Sequence, residues 1–494
     1  MNHPDRGQNW IGGAWSDSTS GQQLERRNPA DHADLLGAAP LSTRAEMRAG
    51  IAAARQALPG WRATPAPRRG EFLFAWKRLL ESKKDELARL ITREEGKTLA
   101  EAAGEIQRGL NIVEYIAGEA RRLSGETLPS ELPANFIYTL RQPLGVVGLI
   151  TPWNFPAAIP LWKLAPALVC GNTVVWKPSE LTPFSSQFLA RSLAEAGLPA
   201  GVVNLVHGKG EEAGEELVSH PDVAAISFTG SNAAGTAIYT RAAAGLKKVQ
   251  CEMGGKNAVV VLEDADLELA AGHIIAGAFG SSGQRCTATS RLIVVEAAAD
   301  RLLRLLLERV QSLKIGNGAE AGVQVGPIVS EAQYQRVLNY IKIGRTEARL
   351  CCGGQPYRGN GCGNGWFVAP TLFDEVSVEA RIAQEEIFGP VLPMLRVPDF
   401  EAALEAANQV KFGLAGSIFT RDVNRAFAAA ERFECGMLHI NSPTVGGEAH
   451  APFGGIKATG VGERETGSTA IDFYSEIKVV YVDYTGQKRT GSLY

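Results

Sequence analysis

The chain has 494 residues, 45% of them apolar and 21% charged, as expected of a soluble globular protein of roughly two to three domains. Its 50 basic and 53 acidic residues leave a net charge of -3 with no run of like sign, so charge gives no support for nucleic-acid binding or a polybasic membrane anchor. Seven cysteines, an odd count without CxxC or Cys/His spacing, exclude a complete disulfide framework, suggest no metal site, and lead us to expect a reducing, cytoplasmic setting.

The opening MNHPDRGQNW lacks a basic segment followed by an apolar core, and no apolar stretch is long enough to span a bilayer. Trp10 to Pro40 reads as short strands and turns, with a turn at Asn28-Pro29-Ala30-Asp31. From Arg44 to Arg122 apolar residues recur at helical spacing, as at Phe72, Trp76, Leu79 and Leu80, with an interruption at Glu94-Glu95-Gly96-Lys97. These helices are expected to pack on a sheet and to carry no chemistry.

Phe136 to Arg141 alternates like an isolated strand, a candidate arm. Beyond it, apolar strands at Val146–Ile150, Thr173–Trp176, Val202–Val206 and Ala224–Phe228 alternate with helices at Pro183–Ala196 and Ala233–Ala243. That pattern predicts a doubly wound parallel sheet of the nucleotide-binding kind. A second alternating α/β segment starts near Lys256 and runs to about Gly436. Lys478–Val482 is a last strand without a local partner, expected to pair with the early arm or with another subunit.

Several short stretches carry chemistry. Ser281 to Ser290 places Cys286 between a small-residue loop and the strand Arg291–Val295, accessible to a ligand; alone, such a cysteine is ordinarily a small buried hydrophobe. Thr229 to Gly235 follows a strand and opens a helix, so the glycines Gly230 and Gly235, the helix amides and Ser231 suit a phosphate, although the stretch is not GxGxxG. Lys177 and Glu180 follow a strand where ribose hydroxyls would lie, and Glu180 would repel a 2′-phosphate. Asn154 in PWNFP offers an amide to an oxyanion, and Glu252 in EMGGK offers a carboxylate as general base.

Together these pieces resemble the NAD(P)-dependent aldehyde dehydrogenases from about Trp10 to Val482. PWNFP at Pro152, KPSE at Lys177, FTGS at Phe228, EMGGK at Glu252, GQRC at Gly283, EEIFGP at Glu385 and APFGG at Ala451 follow the family's order. The resemblance implies a dinucleotide-binding domain at 1–122 and 144–251, a catalytic domain at 252–458, and an oligomerisation arm and tail at 123–143 and 459–494. It makes Cys286 the nucleophile, Asn154 the oxyanion donor and Glu252 the base for water, with Lys163 relaying protons or supporting the oxyanion loop. Cofactor contacts fall to Trp153, Lys177, Glu180, Gly230, Ser231, Gly235, Glu386 beside the nicotinamide ribose, and Phe388 beside the nicotinamide. NAD is favoured, NADP is an alternative, no metal is implied, and the partners are a small-molecule aldehyde and further copies of the chain, as homodimer or homotetramer.

Among family members the chain is most similar to bacterial α-ketoglutaric semialdehyde dehydrogenases, through APALVCGNTVVWKP, GLPAGVVNLV and GQRCTATSR. The pocket candidates are Phe155, Trp162, Arg285 and Thr287. Succinic semialdehyde dehydrogenases place arginines where this chain has Trp162 and Gly280; Arg285 is a remaining cationic candidate for an anionic or polar tail, the alternative being an arginine that points to the surface. The segment 436–450, with His439, Thr444 and Glu448, is the expected variable pocket wall. A broad-range aldehyde dehydrogenase is the alternative; a CoA-acylating enzyme would lack Glu252, and a silent family member would not keep Cys286, Glu252 and Asn154.

Overall fold

The structure, a computed structural model, describes residues 5–488. Its centre is an eight-stranded sheet in the order Gly460–Val461, Lys248–Glu252, Val223–Thr229, Val146–Ile150, Thr173–Lys177, Val203–Leu205, Asn9–Ile11, Ala14–Ser16. The five strands from Lys248–Glu252 to Val203–Leu205 are parallel, and antiparallel strands extend both edges. Strands Val146–Ile150 and Thr173–Lys177 are buried at every position, as a sheet covered on both faces requires. The chain winds outward in one direction from Val146–Ile150, then returns to pair Val223–Thr229 on its other side. The order therefore reverses between these two strands, which opens a crevice beyond their carboxyl ends.

The region 44–122 folds as four helices, Arg44–Ala63, Ala66–Ser82, Lys84–Glu95 and Leu99–Glu119. The interruption expected at 94–97 is where Gly96 takes a left-handed conformation (φ 105°) to end one helix and Thr98 starts the next. The new start is a capping box: Thr98 Oγ1 accepts from Glu101 N at 3.2 Å, and Glu101 Oε2 accepts from Thr98 N at 3.0 Å. Trp61, Leu73, Trp76, Leu80, Ile106 and Leu110 from these helices bury with Leu161, Leu168 and Trp176 in one core.

A second sheet runs Arg349–Cys352, Thr371–Asp374, Val391–Val397, Arg291–Val295, Ala258–Val261, Ala415–Phe419, Met437–Ile440, parallel except at its first strand. Helices Leu267–Phe279 and Glu296–Ser312 pack their apolar faces on it. The last strand, Ser475–Asp483, pairs antiparallel with Asn135–Pro143 from Ser475 opposite Pro143 to Asp483 opposite Asn135, the first of the two partners expected for it. Thr127–Leu128 completes this three-stranded sheet. Phe136, Leu140, Ile477, Val479, Tyr481 and Val482 all stand exposed on these strands. Among the described residues, no helix is long and apolar enough to cross a membrane.

Candidate active site

The crevice at the sheet's reversal is a cavity of about 160 Å³ walled by Trp153 and Asn154, by Thr229, Gly230 and Ser231, and by Met253, Cys286, Glu386 and Phe388. Residues far apart in sequence meet here because each follows a strand end or a tight turn. Asn154 lies just beyond strand Val146–Ile150, and its Nδ2 donates to Gln284 O at 3.2 Å, a long bond to the residue two before Cys286. Trp153 and Phe388 meet edge to face with centroids 5.4 Å apart.

Cys286 follows a turn in which Ser281, Ser282 and Gly283 have φ of 48°, 55° and 69°. Left-handed backbone costs a non-glycine residue roughly 1–2 kcal/mol, so this turn must be held from outside. Glu101 Oε1 accepts from Ser281 N at 2.5 Å, Ser282 Oγ donates to Gly326 O at 2.7 Å, and Gln284 Oε1 accepts from Val329 N at 3.0 Å. Asn257 Nδ2 donates to the carbonyls of Cys286 and Ala288, both at 2.8 Å. Burial, joined by the Glu386 and Glu252 carboxylates, pushes the Cys286 thiol up to about 12, against the opposing charge of Arg108.

Glu252 ends strand Lys248–Glu252 and is buried, with Gly455 N donating to its Oε2 at 3.3 Å. Burial first, then Glu465, raises its pKa well above the usual carboxylate range, while Arg464 and Lys163 oppose the rise. Lys163 is also buried; its Nζ donates to Ser227 Oγ at 2.7 Å and forms an ion pair with Glu465. It thus lies in the Glu252–Glu465 charge cluster. The loop at Asn154 is braced by a different lysine: Lys97 Nζ donates to Asn154 O at 2.6 Å and to Glu105 Oε2 at 2.5 Å.

The second wall suits a dinucleotide. Ser231 Oγ caps helix Asn232–Ala244, accepting from Ala234 N at 3.4 Å, so the helix's free amides face the crevice. Thr229 Oγ1 is buried there without a hydrogen-bond partner among the described residues, an unmet need that a polar ligand would satisfy. Gly235 lies one turn into that helix and is buried. Lys177 Nζ, at the end of a central strand, donates to Glu180 Oε1 at 3.0 Å and to Pro178 O at 2.9 Å. Glu386 accepts from Gly255 N at 3.0 Å, and burial raises its pKa. Gln333 Nε2 donates to Phe388 O at 2.8 Å and Arg336 to Glu386 O at 2.7 Å, which fixes Phe388 with φ of 60°.

On the substrate side, Trp162 is buried against Phe453 with centroids 5.4 Å apart, and Phe155 lies under the Lys97 ammonium at 4.2 Å. Thr287 is buried, and its carbonyl accepts from Thr444 Oγ1 at 2.8 Å, so segment 436–450 is tied to the turn that carries Cys286. Of the other two wall residues, His439 is half-buried and Glu448 is exposed beside His450. Arg285 differs from expectation. Its Nη2 pairs with Glu101 Oε1 at 3.1 Å and its Nε donates to Ser281 Oγ at 2.9 Å, so it already has a carboxylate and braces the turn. Helix Leu99–Glu119, expected to be purely structural, supplies Glu101, Glu105 and Arg108 to this region. Their spacing of four and then three residues puts them on one face, a signal the sequence held.

The chain matches the model of the Aldehyde dehydrogenase family over residues 15–480. It is 45% identical over 475 residues to the alpha-ketoglutaric semialdehyde dehydrogenase of Bacillus subtilis, covering 96% of this chain and 97% of that one. It is 42% identical to the 2,5-dioxopentanoate dehydrogenase of Saccharolobus solfataricus, with coverage of 96% and 97%. A crystal structure of an NADP dependent enzyme from E. coli superposes with a TM-score of 0.93 at 39% identity, covering 97% and 98% of the two chains. Betaine aldehyde dehydrogenase from Staphylococcus aureus in complex with NAD+ superposes with a TM-score of 0.95 at 32% identity, covering 97% and 95%. In sequence along nearly its whole length and in the arrangement of its sheets, the chain belongs to the aldehyde dehydrogenase family.

Proposed function

We propose that this protein oxidises α-ketoglutaric semialdehyde to α-ketoglutarate with NAD(P)+, NAD+ being preferred, through Cys286, Asn154 and Glu252. The observation that carries the reading is the convergence of Cys286, Asn154, Glu386 and Phe388 on one crevice where the strand order reverses. The substrate is supported by the two relatives at 42–45% identity, whose names specify this semialdehyde under two synonyms.

In the reaction, Cys286 Sγ releases its proton to solvent water and bonds to the aldehyde carbon, and the carbonyl π electrons move to oxygen. Asn154 Nδ2 exchanges its long bond to Gln284 O for the oxyanion, joined by the Cys286 amide. When bound, NAD(P)+ would supply the hydride acceptor, and the carbon held on Cys286 would pass from thiohemiacetal to thioester. Glu252 then takes a proton from water, the water oxygen adds to the thioester carbonyl, and the C–S bond breaks to release the acid and the Cys286 thiolate. Burial and Glu465 raise the Glu252 pKa, which makes its carboxylate a stronger base toward water than an exposed one.

Ser231, Gly230, Gly235 and the helix amides would hold the cofactor's pyrophosphate, Lys177 and Glu180 its adenosine ribose, and Glu386 its nicotinamide ribose, with Trp153 and Phe388 as further contacts. Glu180 favours NAD+ because its carboxylate accepts from ribose hydroxyls and repels a 2′-phosphate. The exposed apolar residues on Asn135–Pro143 and Ser475–Asp483 make that sheet the contact through which copies assemble in the cytoplasm.

Glu252→Gln is expected to give one burst of NADH and then to stall, with steady turnover down about 10²- to 10⁴-fold; undiminished turnover, or acid release that requires CoA, removes the hydrolytic role. kcat/KM is expected to be higher with NAD+ than NADP+, and Glu180→Ala to narrow the gap; an NADP+ preference overturns the assignment. Without cofactor, the raised thiol pKa means the thiolate fraction grows with pH. Alkylation of Cys286 by iodoacetamide, followed by peptide mass, is therefore expected to speed up about tenfold per unit from pH 7 to 9, and a plateau below pH 9 contradicts it. Light scattering is expected to give a multiple of 52.7 kDa, and Ile477→Lys with Tyr481→Lys to return it to one chain; a monomeric wild type removes the interface.

A further inference from the structure

Arg108 is a cation without a carboxylate. It lies on the inward face of helix Leu99–Glu119, three residues beyond Glu105, whose charge Lys97 already meets. Among the described residues, none makes an ion pair or hydrogen bond with its side chain, and its Nε is buried without an acceptor. Its guanidinium carbon is 5.5 Å from the ring centroids of both Trp162 and Phe453. Trp162 Nε1 is a second buried donor without an acceptor. The loop of the variable wall passes close by: a Cβ on Gly447 would come within 2.8 Å of Arg108 Nη2, so glycine there leaves the guanidinium its space. Burial lowers the Arg108 pKa while the nucleophile's side raises it, and Arg108 in turn lowers that of Cys286, so the two groups are electrostatic neighbours.

A largely buried guanidinium that lacks an anion is costly, and two aromatic faces offset only part of that cost. Among the described residues, Lys97 has Glu105, Lys163 has Glu465 and Arg285 has Glu101; Lys256 Nζ is also buried without an acceptor, but it lines a neighbouring cavity with Arg291 and Phe412 and not the side of Trp162 and Phe453. Arg108 is thus the group whose charge an incoming ligand would balance. An Arg fork presents parallel N–H donors that match a carboxylate, and a 2-oxo acid adds a neighbouring carbonyl oxygen for a donor such as Trp162 Nε1.

We propose that Arg108, with Trp162 Nε1, receives the 2-oxo carboxylate of the substrate, and that Arg285 does not. Arg108 then determines specificity by tethering the tail that trails from the aldehyde held at Cys286. The assignment rests on the reading that the substrate is a carboxylated semialdehyde.

The test compares wild type, Arg108→Leu, Arg108→Lys and Arg285→Ala on α-ketoglutaric semialdehyde and on pentanal, a neutral aldehyde of equal chain length. A charge-assisted bidentate pair is worth a roughly 10- to 100-fold preference. In Arg108→Leu the ratio of kcat/KM values for the two aldehydes is expected to fall by that factor, mainly through KM, with Arg108→Lys between it and wild type. Arg285→Ala is expected to keep the ratio. Calorimetry with α-ketoglutarate, the product, is expected to show binding to wild type and its loss in Arg108→Leu, independent of turnover. If wild type itself treats the two aldehydes alike, the substrate reading fails. If wild type prefers the keto acid and both Arg108 variants keep that preference and the binding, or if only Arg285→Ala loses it, the anchor is overturned.

Discussion

Lys97 Nζ, the Glu105 carboxylate and the carbonyl of Asn154 meet in a pocket closed to solvent, and the reaction centre hangs from that contact. A buried ion pair adds little net stability, since desolvation offsets attraction, yet removing one partner costs about 3–5 kcal/mol. Its consequence is geometric. Glu105 Oε1 also accepts from Ala157 N at 2.8 Å and Ala158 N at 3.1 Å, at the start of helix Ala158–Val169, which has no side-chain cap of its own. One carboxylate therefore fixes, through Lys97, the loop that carries Asn154 and caps the next helix. Glu101, one turn earlier, holds Ser281 N in the same way. Asn154 follows a strand of the first sheet and Cys286 precedes a strand of the second, yet both loops are pinned by helix Leu99–Glu119.

The charge balance around the crevice follows from the same burial. Glu252 and Glu386 both have raised pKa values and both push the Cys286 thiol up. Left alone, three such groups would all hold their protons and the thiol would stay inert. Lys163 and Arg464 beside Glu252, and Arg108 beside Cys286, act in the opposite sense. They oppose the rise without cancelling it: the Cys286 thiol still stands at about 12 and Glu252 well above the usual carboxylate range.

Much of this was legible in the sequence because chemistry-bearing residues sat at strand ends and turns. Cys286, Asn154, Ser231, Glu386 and Phe388 sit in short motifs that contain a glycine or proline (GQRC, PWNFP, FTGS, EEIFGP), and the structure lines one crevice with all five. The residues missed were acids and bases inside helical or breaker-rich stretches. Glu101, Glu105 and Arg108 sit in a helix where charged side chains ordinarily face solvent, so their inward stripe was read as packing. Glu465 lies in a tail that carried no periodic pattern, and only the fold brings it to Lys163. Arg285 shows the converse: adjacency to Cys286 said nothing of Glu101, far away in sequence, with which it pairs. Pairing partners separated by long stretches of chain leave no local signature.

Why each motif looked weak alone, while the set did not, also has a physical cause. A Cβ on Gly283 would come within 2.2 Å of Gly389 O, so the nucleophile turn and the turn carrying Phe388 touch backbone to backbone. A Cβ on Gly454 would come within 2.4 Å of Glu252 Oε1, so APFGG is the wall against which the base rests. GQRC with EEIFGP, and EMGGK with APFGG, are each one contact written at two places in the chain. The glycines mark where the second half arrives. Strain at Ser281, Ser282 and Phe388 is tolerated on the same terms, because each strained turn is one side of a close-packed joint whose other side is held by a separate strand or helix. A single stretch therefore underdetermines the chemistry, and only the joint brings Cys286, Glu252 and Asn154 to one place.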